Sequence, residues 1–378
     1  MTLKKVTPPK RTQPEGHSKQ PVTLKTLAAL LGLSRTTLSM ILNDVPDAMR
    51  FPEETRRRVV ETAKEIGYRP NYFARSLGKK RSYLIGVIAP DLGDGYEAAL
   101  LGGFERRLLD TGYTSLVSNH FWFPGLLERH IETLCDRGVE GLLLIDSTPV
   151  EYPGVPTVMI CTSRSPIWCT RVSIDNALGI RQTLHHLAGI GHKKIAFIKG
   201  PQHGGDTIDR WNAVLETCQQ LGIRVDPRLT VQLERLDPTG MRHPEEGRIA
   251  TQKLLERGIP FTALVAYNDI SALGAMSALR EAGRRVPEDV SVMGFDDIEF
   301  AGIAYPPLTT VRQPLREMGA TAAEVLIRKI ENNETVENIS VRPELIVRSS
   351  TCPPEASLSE GPKKRITKNP RPGQRTRS

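Results

Sequence analysis

The chain is poor in the residues and motifs that secreted scaffolds and most enzymes depend on. Its five cysteines, Cys135, Cys161, Cys169, Cys218 and Cys352, are odd in number, and none stands in C-x-x-C spacing. That argues against a disulfide framework or a zinc site and in favour of a reduced compartment. No apolar run approaches the roughly 20 residues of a membrane span. Residues 1–21 are polar and Pro-rich, without the apolar centre of a signal peptide. A soluble, cytoplasmic protein is expected. The first apolar run is followed by APDLGDGYEA rather than G-x-G-x-x-G, and no P-loop or zinc motif occurs. His185, His186 and Asp175 are close in sequence, but they fall on one predicted helix and its preceding turn, without a nucleophile. They read as surface and capping residues. No enzyme, cofactor or metal is implied.

What is present is unevenly charged. Against a total of +8, residues 1–21 carry +4, residues 22–81 carry +6 and residues 353–378 carry +5, which leaves −7 on residues 82–352. A basic front end on an acidic body favours a polyanion partner at the N-terminal end and a small neutral or polar ligand elsewhere.

The basic front end is built around Thr23 to Asn43, TLKTLAALLGLSRTTLSMILN. Leu24, Leu27, Ala28 and Leu31 recur at i, i+3, i+4, i+7 and form the apolar stripe of a first helix, which Thr23 can cap and Gly32 ends. Ser34 stands at the next N-cap, and Leu38, Ile41 and Leu42 make the buried face of a second helix. Arg35, Thr36, Thr37 and Met40 are left pointing outwards. Two helices around a Gly turn, with a polar outer face on the second, are the helix-turn-helix pattern; an ordinary αα-hairpin shares it. After a loop, Asp44 to Phe51, Pro52 opens a third helix with Glu53 and Glu54 in its first turn and Val59, Val60, Ala63 and Ile66 on its buried face. Gly67 closes it. Asn71 to Leu77 then forms a short segment between Pro70 and Gly78, capable of about two helical turns and too short to be stable alone.

From Leu84 short apolar runs (LIGVIA, TSLVS, GLLLI, TVMI, KIAFI, ALVA, SVMGF) alternate with amphipathic segments of helical length. The expected helices are Tyr96–Thr111, Leu126–Arg137, Asn176–Ile190, Thr207–Leu221, Glu245–Arg257, Asn268–Ala282 and Leu315–Asn332. Continuous apolar strands between helices mean parallel sheets covered on both faces. About 270 residues is large for one such sheet, so two α/β lobes are expected, with a ligand in the cleft at the carboxyl ends of their strands. From Pro353 the composition is that of a disordered basic tail.

The helix pair and third helix, then GYRPNYFARSLGKKRS, LIGVIAPDL, VSIDNALGIRQTLHHLAGIGHKKIAFIKG, ALVAYNDISALGAMSALREAGRRVPEDVSVMGFDDIE and PPLTTVRQP, occur in an order that resembles the lac repressor (LacI-GalR) family of bacterial transcription regulators, from about Val22 to Ser350. The resemblance implies a three-helix helix-turn-helix domain followed by a two-lobed, periplasmic-binding-protein-like α/β effector domain. It implies a homodimer on a near-palindromic double-stranded DNA operator, whose affinity changes when a small molecule, usually a sugar or nucleobase, enters the cleft. The expected bounds are a leader at 1–21, the helix-turn-helix domain at 22–69, a hinge at 70–81, the effector domain at 82–352 and a tail at 353–378. Lobe 1 should comprise about 82–174 and 313–342, and lobe 2 about 175–312 and 343–352.

Arg35, Thr36 and Thr37 lie where this docking mode meets base edges, while Met40 stands where the family often carries a guanine-reading Arg. Thr23, Ser34 and Asn43 would contact phosphates, a role compatible with helix capping. Asn71, Ala74 and Leu77 match the segment that folds in the minor groove, with Leu77 as the wedge between base steps. In the cleft, Arg210 matches the effector-binding Arg, Asn268 and Asp296 match residues after two strands, and Gln313 lies on a crossover. Tyr96 is a candidate stacking surface. Cys161 stands where some sugar-binding members place an acid, and Asp297 reads as a turn residue. Phe121-Trp122-Phe123, in a loop that is usually polar, suits a cleft mouth or a dimer face. A periplasmic carbohydrate-binding protein would share the two lobes, but it would have no use for residues 22–81.

Overall fold

A computed structural model describes residues 22–43, 45–68, 81–93, 95–123, 125–147, 151–160, 168–202, 205–234 and 244–354. The chain divides into two compact units, Met1–Ser82 and Tyr83–Ser378.

The first unit is a three-helix domain. Helices α1 (Leu24–Leu31), α2 (Arg35–Leu42) and α3 (Glu53–Glu65) pack around Leu27, Leu38, Ile41, Ala48, Val59 and Ala63. Thr23 Oγ1 accepts the Thr26 N–H at 3.2 Å and Ser34 Oγ accepts the Thr37 N–H at 3.0 Å, so both N-caps satisfy donors that the first helical turn leaves orphaned. Gly32 ends α1 at φ 66°, where a Cβ would strain the backbone. Three local expectations need correction. The stretch from Asp44 to Phe51 contains a 3₁₀ turn, Pro46–Arg50, which buries Ala48 in the core. Pro52 is the N-cap residue of α3 rather than its first helical residue. Val60 is 50% exposed, because Val59 and Ala63 already fill the narrow face that α3 turns inward.

The second unit is built on two parallel sheets. Lobe 1 follows the chain through β1 (Leu84–Ala89), α4 (Tyr96–Leu108), β2 (Thr114–Asn119), α5 (Leu126–Asp136), β3 (Gly141–Ile145), β4 (Thr157–Ile160) and β5 (Thr170–Ile174). The chain crosses to lobe 2 for α6 (Asn176–Gly189), β6 (Ile195–Lys199), α7 (Gly205–Gln220), β7 (Thr230–Gln232), α8 (Pro244–Glu256), β8 (Ala263–Val265), α9 (Asp269–Glu281), β9 (Ser291–Met293), α10 (Glu299–Ile303) and β10 (Thr310–Arg312). It returns for α11 (Leu315–Asn332) and β11 (Ile339–Val341), then crosses again for β12 (Glu344–Ile346), which pairs antiparallel with β10. The sheet orders are β11-β5-β4-β3-β1-β2 and β7-β6-β8-β9. All strand pairs within these two sheets are parallel, and β1, β3 and β4 are almost wholly buried, as the apolar runs require.

Lobe 1 owes its tightness to two glycines in helices. A Cβ at Gly103 of α4 would collide with the Arg316 carbonyl, and one at Gly319 of α11 would collide with the Leu100 carbonyl. The helix backbones therefore touch directly, and larger residues would push them apart. The strands missing from the sequence reading are β5, β7 and β10 to β12. Four of these five have only three residues, so their identity as strands comes from their partners rather than from any local alternation. Among the described residues no helix is long and apolar enough to cross a membrane.

Candidate functional site

In both sheets the strand order reverses beside the first strand of the lobe: between β1 and β3 in lobe 1, and between β6 and β8 in lobe 2. Loops leave such a switch point in opposite directions and open a crevice beyond the carboxyl ends of the strands. Polar side chains collect at both crevices.

In lobe 2 the centre is Arg210 on α7, only 6% exposed. Its Nε donates to Asn176 Oδ1 at 2.8 Å and its Nη1 donates to the Tyr267 carbonyl, just past β8, at 2.8 Å. Asn176 in turn donates from Nδ2 to Asp206 Oδ1 at 2.9 Å. Nη2 stands 3.8 Å from both Asp206 Oδ2 and Asp296 Oδ1, an ion-pair distance too long for a hydrogen bond. The guanidinium faces the rings of Phe295 (3.8 Å) and Tyr267 (4.8 Å). Burial opposes its charge, but Tyr267, Asp296, Asp206 and Tyr96 outweigh that and raise its pKa.

Asp296 has φ 121° and Asp297 has φ 57°, in a loop that follows β9. Gln313 Nε2 donates to Asp296 Oδ1 at 2.7 Å, while Gln313 Oε1 is buried without a partner. Asp297 accepts from Arg312 at 2.7 Å and from Arg348 at 2.6 Å, which ties the crossover segments together and makes it the structural residue anticipated. Asn268 is the N-cap of α9. Its Oδ1 accepts from the Ser271 N–H at 2.9 Å, and the reciprocal capping bond is also made. Its oxygen is therefore engaged in capping the helix.

Tyr96 does not behave as a stacking surface here. It is 3% exposed and packs with Leu315, Ile270 and Ile298 in a cluster that draws on both lobes. Cys161 lies outside the described residues.

In lobe 1 the corresponding crevice holds His120. Its backbone N–H donates to the Ala89 carbonyl at the end of β1, and its Nε2 lies 2.8 Å from Ser147 Oγ beyond β3. The Trp122 N–H donates to His120 Nδ1 at 3.1 Å, so the ring is the Nε2–H tautomer and donates to Ser147, which passes its own hydroxyl hydrogen to the Ile145 carbonyl. Phe121 and Trp122 both have positive φ, 48° and 59°, a strained conformation for bulky residues that this network holds. The aromatic loop thus starts at the carboxyl edge of the lobe 1 sheet.

The sequence reading also missed Asn176, Asp206 and Asp269. Asp206 precedes Arg210 by four residues on one helix, a legible i, i+4 pair. Asp269 is fully buried, accepting from the Ile298 N–H at 2.9 Å and from the Thr310 hydroxyl. Burial and then the Asp296 charge push its carboxyl well above the usual carboxylate range, against the pull of its two donors.

In the first unit Arg35 and Thr36 are exposed at the start of α2. Thr37 is half-buried, its hydroxyl 2.9 Å from that of Ser34. Met40 is half-buried and its sulfur accepts from Arg50 Nη2 at 3.2 Å, so it supports the 3₁₀ turn rather than pointing freely outwards. Asn43 ends α2 and its Nδ2 donates to Ser39 Oγ at 3.2 Å. Asn71, Ala74 and Leu77 lie outside the described residues.

A family model for a periplasmic binding protein-like domain matches residues 184–351. The HTH-type transcriptional regulator DegA of Bacillus subtilis is 30% identical over 342 residues, covering 88% of this chain and 98% of the relative. The solved lac repressor dimer bound to operator and the anti-inducer ONPF matches with a TM-score of 0.78 at 27% identity, over 88% of this chain and 100% of that one. The complex of the regulator CelR with cellobiose matches with a TM-score of 0.65 at 29% identity, over 87% and 99%.

Proposed function

Because the chain belongs to the lac repressor family of bacterial transcription regulators, a family of non-enzymes, we propose that it represses transcription as a homodimer on a near-palindromic operator and that a small molecule between its lobes sets its DNA affinity. The observation that carries this reading is the pairing of a capped, basic helix-turn-helix unit with a two-lobed body whose buried Arg210 cluster lies at a strand switch point.

Arg35 and Thr36 read base edges from the exposed start of α2, and Thr23, Ser34 and Asn43 fix register on phosphates while capping their helices. The segment with Asn71, Ala74 and Leu77 bends the operator from the minor groove. Arg210, Asp296 and Gln313 bind the effector, a carbohydrate or carbohydrate derivative, in keeping with the cellobiose complex of CelR. A second copy of the chain covers apolar surface that one copy leaves in water: Phe300 is 52% exposed, Ile303 74% and Tyr305 93%. The protein acts in the cytoplasm, where its operator is.

Operator titration with and without candidate sugars tests the reading, alongside sedimentation. A dimer whose operator affinity shifts with one ligand, and no longer shifts in Asp296→Asn, supports it. A monomer, or sequence-independent DNA binding, would refute it.

A further inference from the structure

The lobe 2 cluster offers a ligand many acceptors and few donors. Arg210 is the only buried Arg or Lys among the described residues, whereas Asp206, Asp269 and Asp296 are all buried beside or behind it. Two of its nitrogens are already committed, to Asn176 and to the Tyr267 carbonyl, and rings lie against its guanidinium. Nη2, which makes no hydrogen bond to the protein here, is the nitrogen left to donate with both its hydrogens, beside the second hydrogen of Nη1, and it stands 3.8 Å from each of two carboxylates.

Gln313 adds a further acceptor. The residue is 3% exposed, its Nε2 is held by Asp296, and the Oε1 of the same amide is buried without a donor. The orphan oxygen therefore lies in the cluster itself. A buried acceptor of this kind is costly unless something donates to it. One guanidinium between two carboxylates also leaves the cluster net negative, and the dry surroundings screen that charge poorly.

We propose that the effector is a polyhydroxylated amine, with its ammonium donating to Gln313 Oε1 and the Asp296–Asp206 pair while a hydroxyl accepts from Arg210 Nη2. The proposal rests on the reading of this cleft as the effector site. Anionic sugars would meet a like-charged, desolvated wall and are excluded. Burial first, and then the Asp296 charge, raises the Asp269 carboxyl, so the negative potential of Asp296 reaches its neighbour.

The test uses the full chain at mildly acidic pH and two matched sets of probes. Tris and pentaerythritol differ in one ammonium against one hydroxymethyl; D-glucosamine, D-glucose and D-glucuronate share a ring. Calorimetric titration should give each amine at least tenfold tighter binding than its neutral partner, with no binding of the uronate. Asp206→Asn keeps the acceptor for Asn176 and should shrink that preference to threefold or less, with melting temperature recorded to exclude unfolding. Neutral or acidic partners that bind as well as the amines, an undiminished preference in Asp206→Asn, or no amine binding at all overturns the proposal. If a neutral sugar alone binds and shifts operator affinity, the cleft assignment stands. If no probe binds and no sugar shifts operator affinity, that assignment falls with it.

Discussion

Replacing Arg210 with Met leaves a side chain of similar reach but no charge. The protein then loses two hydrogen bonds of 2.8 Å from a charged donor, and Asp206 and Asp296 remain buried without their counter-ion. Removing one partner of a buried ion pair costs about 3–5 kcal/mol, because the remaining charge stays out of water without that counter-ion. Against a typical total stability of about 5–15 kcal/mol, that is a large fraction. At roughly 2–4 °C per kcal/mol for a domain of this size, the melting temperature should fall by about 6–20 °C. Asp296→Asn in the same background removes one of the stranded charges and keeps an oxygen for Gln313 Nε2, so the double variant should recover at least ~1 kcal/mol relative to the sum of the singles. Differential scanning calorimetry of wild type, both singles and the double measures this. A fall of less than about 3 °C for Arg210→Met, or additive losses in the double variant, would show that the carboxylates are not held by this guanidinium. The same result bears on function, since a lost effector response in an Arg210 variant is interpretable only below its lowered melting temperature.

Operator affinity should fall steeply with added salt, given +6 on residues 22–81, and a log–log plot of affinity against salt with a slope near zero would refute phosphate contact. Leu77→Ala should weaken specific operator binding while leaving melting temperature and effector affinity unchanged, as measured by gel shift and calorimetry together. His192 is held below its usual pKa by burial, with the Cys352 carbonyl opposing and His186 adding to the effect; His186 is lowered by burial as well. A lowered histidine stabilises the fold above its ordinary value of 6.5 and loses that contribution as pH falls through the folded value, so the melting temperature should drop on acidification and His192→Gln should flatten that drop. Gly274→Ala places a Cβ against the Pro244 carbonyl and must part α8 from α9, at a cost of about 1–3 kcal/mol, read by urea denaturation.

The elements most legible in the sequence are those whose signals are local. Thr23 and Ser34 sit three residues before the N–H groups they accept, and Gly32 and Gly67 take φ of 66° and 69°, which glycine adopts without strain. The long helices of the body fall within a few residues of their periodicity, and α11 spans Leu315–Asn332 as its pattern indicates. Arg210, Asp296 and Gln313 meet in one cluster. Their partners were less visible: Asn176 and Asp206 are ordinary polar residues until the fold stacks α6 on α7.

The amino-acid order by itself determined the division into a basic helical front and an acidic α/β body, the caps, and the buried strands, because each depends on neighbours within about one turn of helix or one strand. Tertiary structure alone decided which polar groups are spent. Asn268 gives its oxygen to a helix cap, Met40 gives its sulfur to Arg50, and Tyr96 is sealed in a core fed by both lobes. It also decided that β10 and β12, three residues each, are strands at all, since two such segments from chain positions 34 residues apart form a ladder only after the crossovers bring them together. Pairing over such separations depends on the closure of the whole chain, and its energy is not written in any window of sequence.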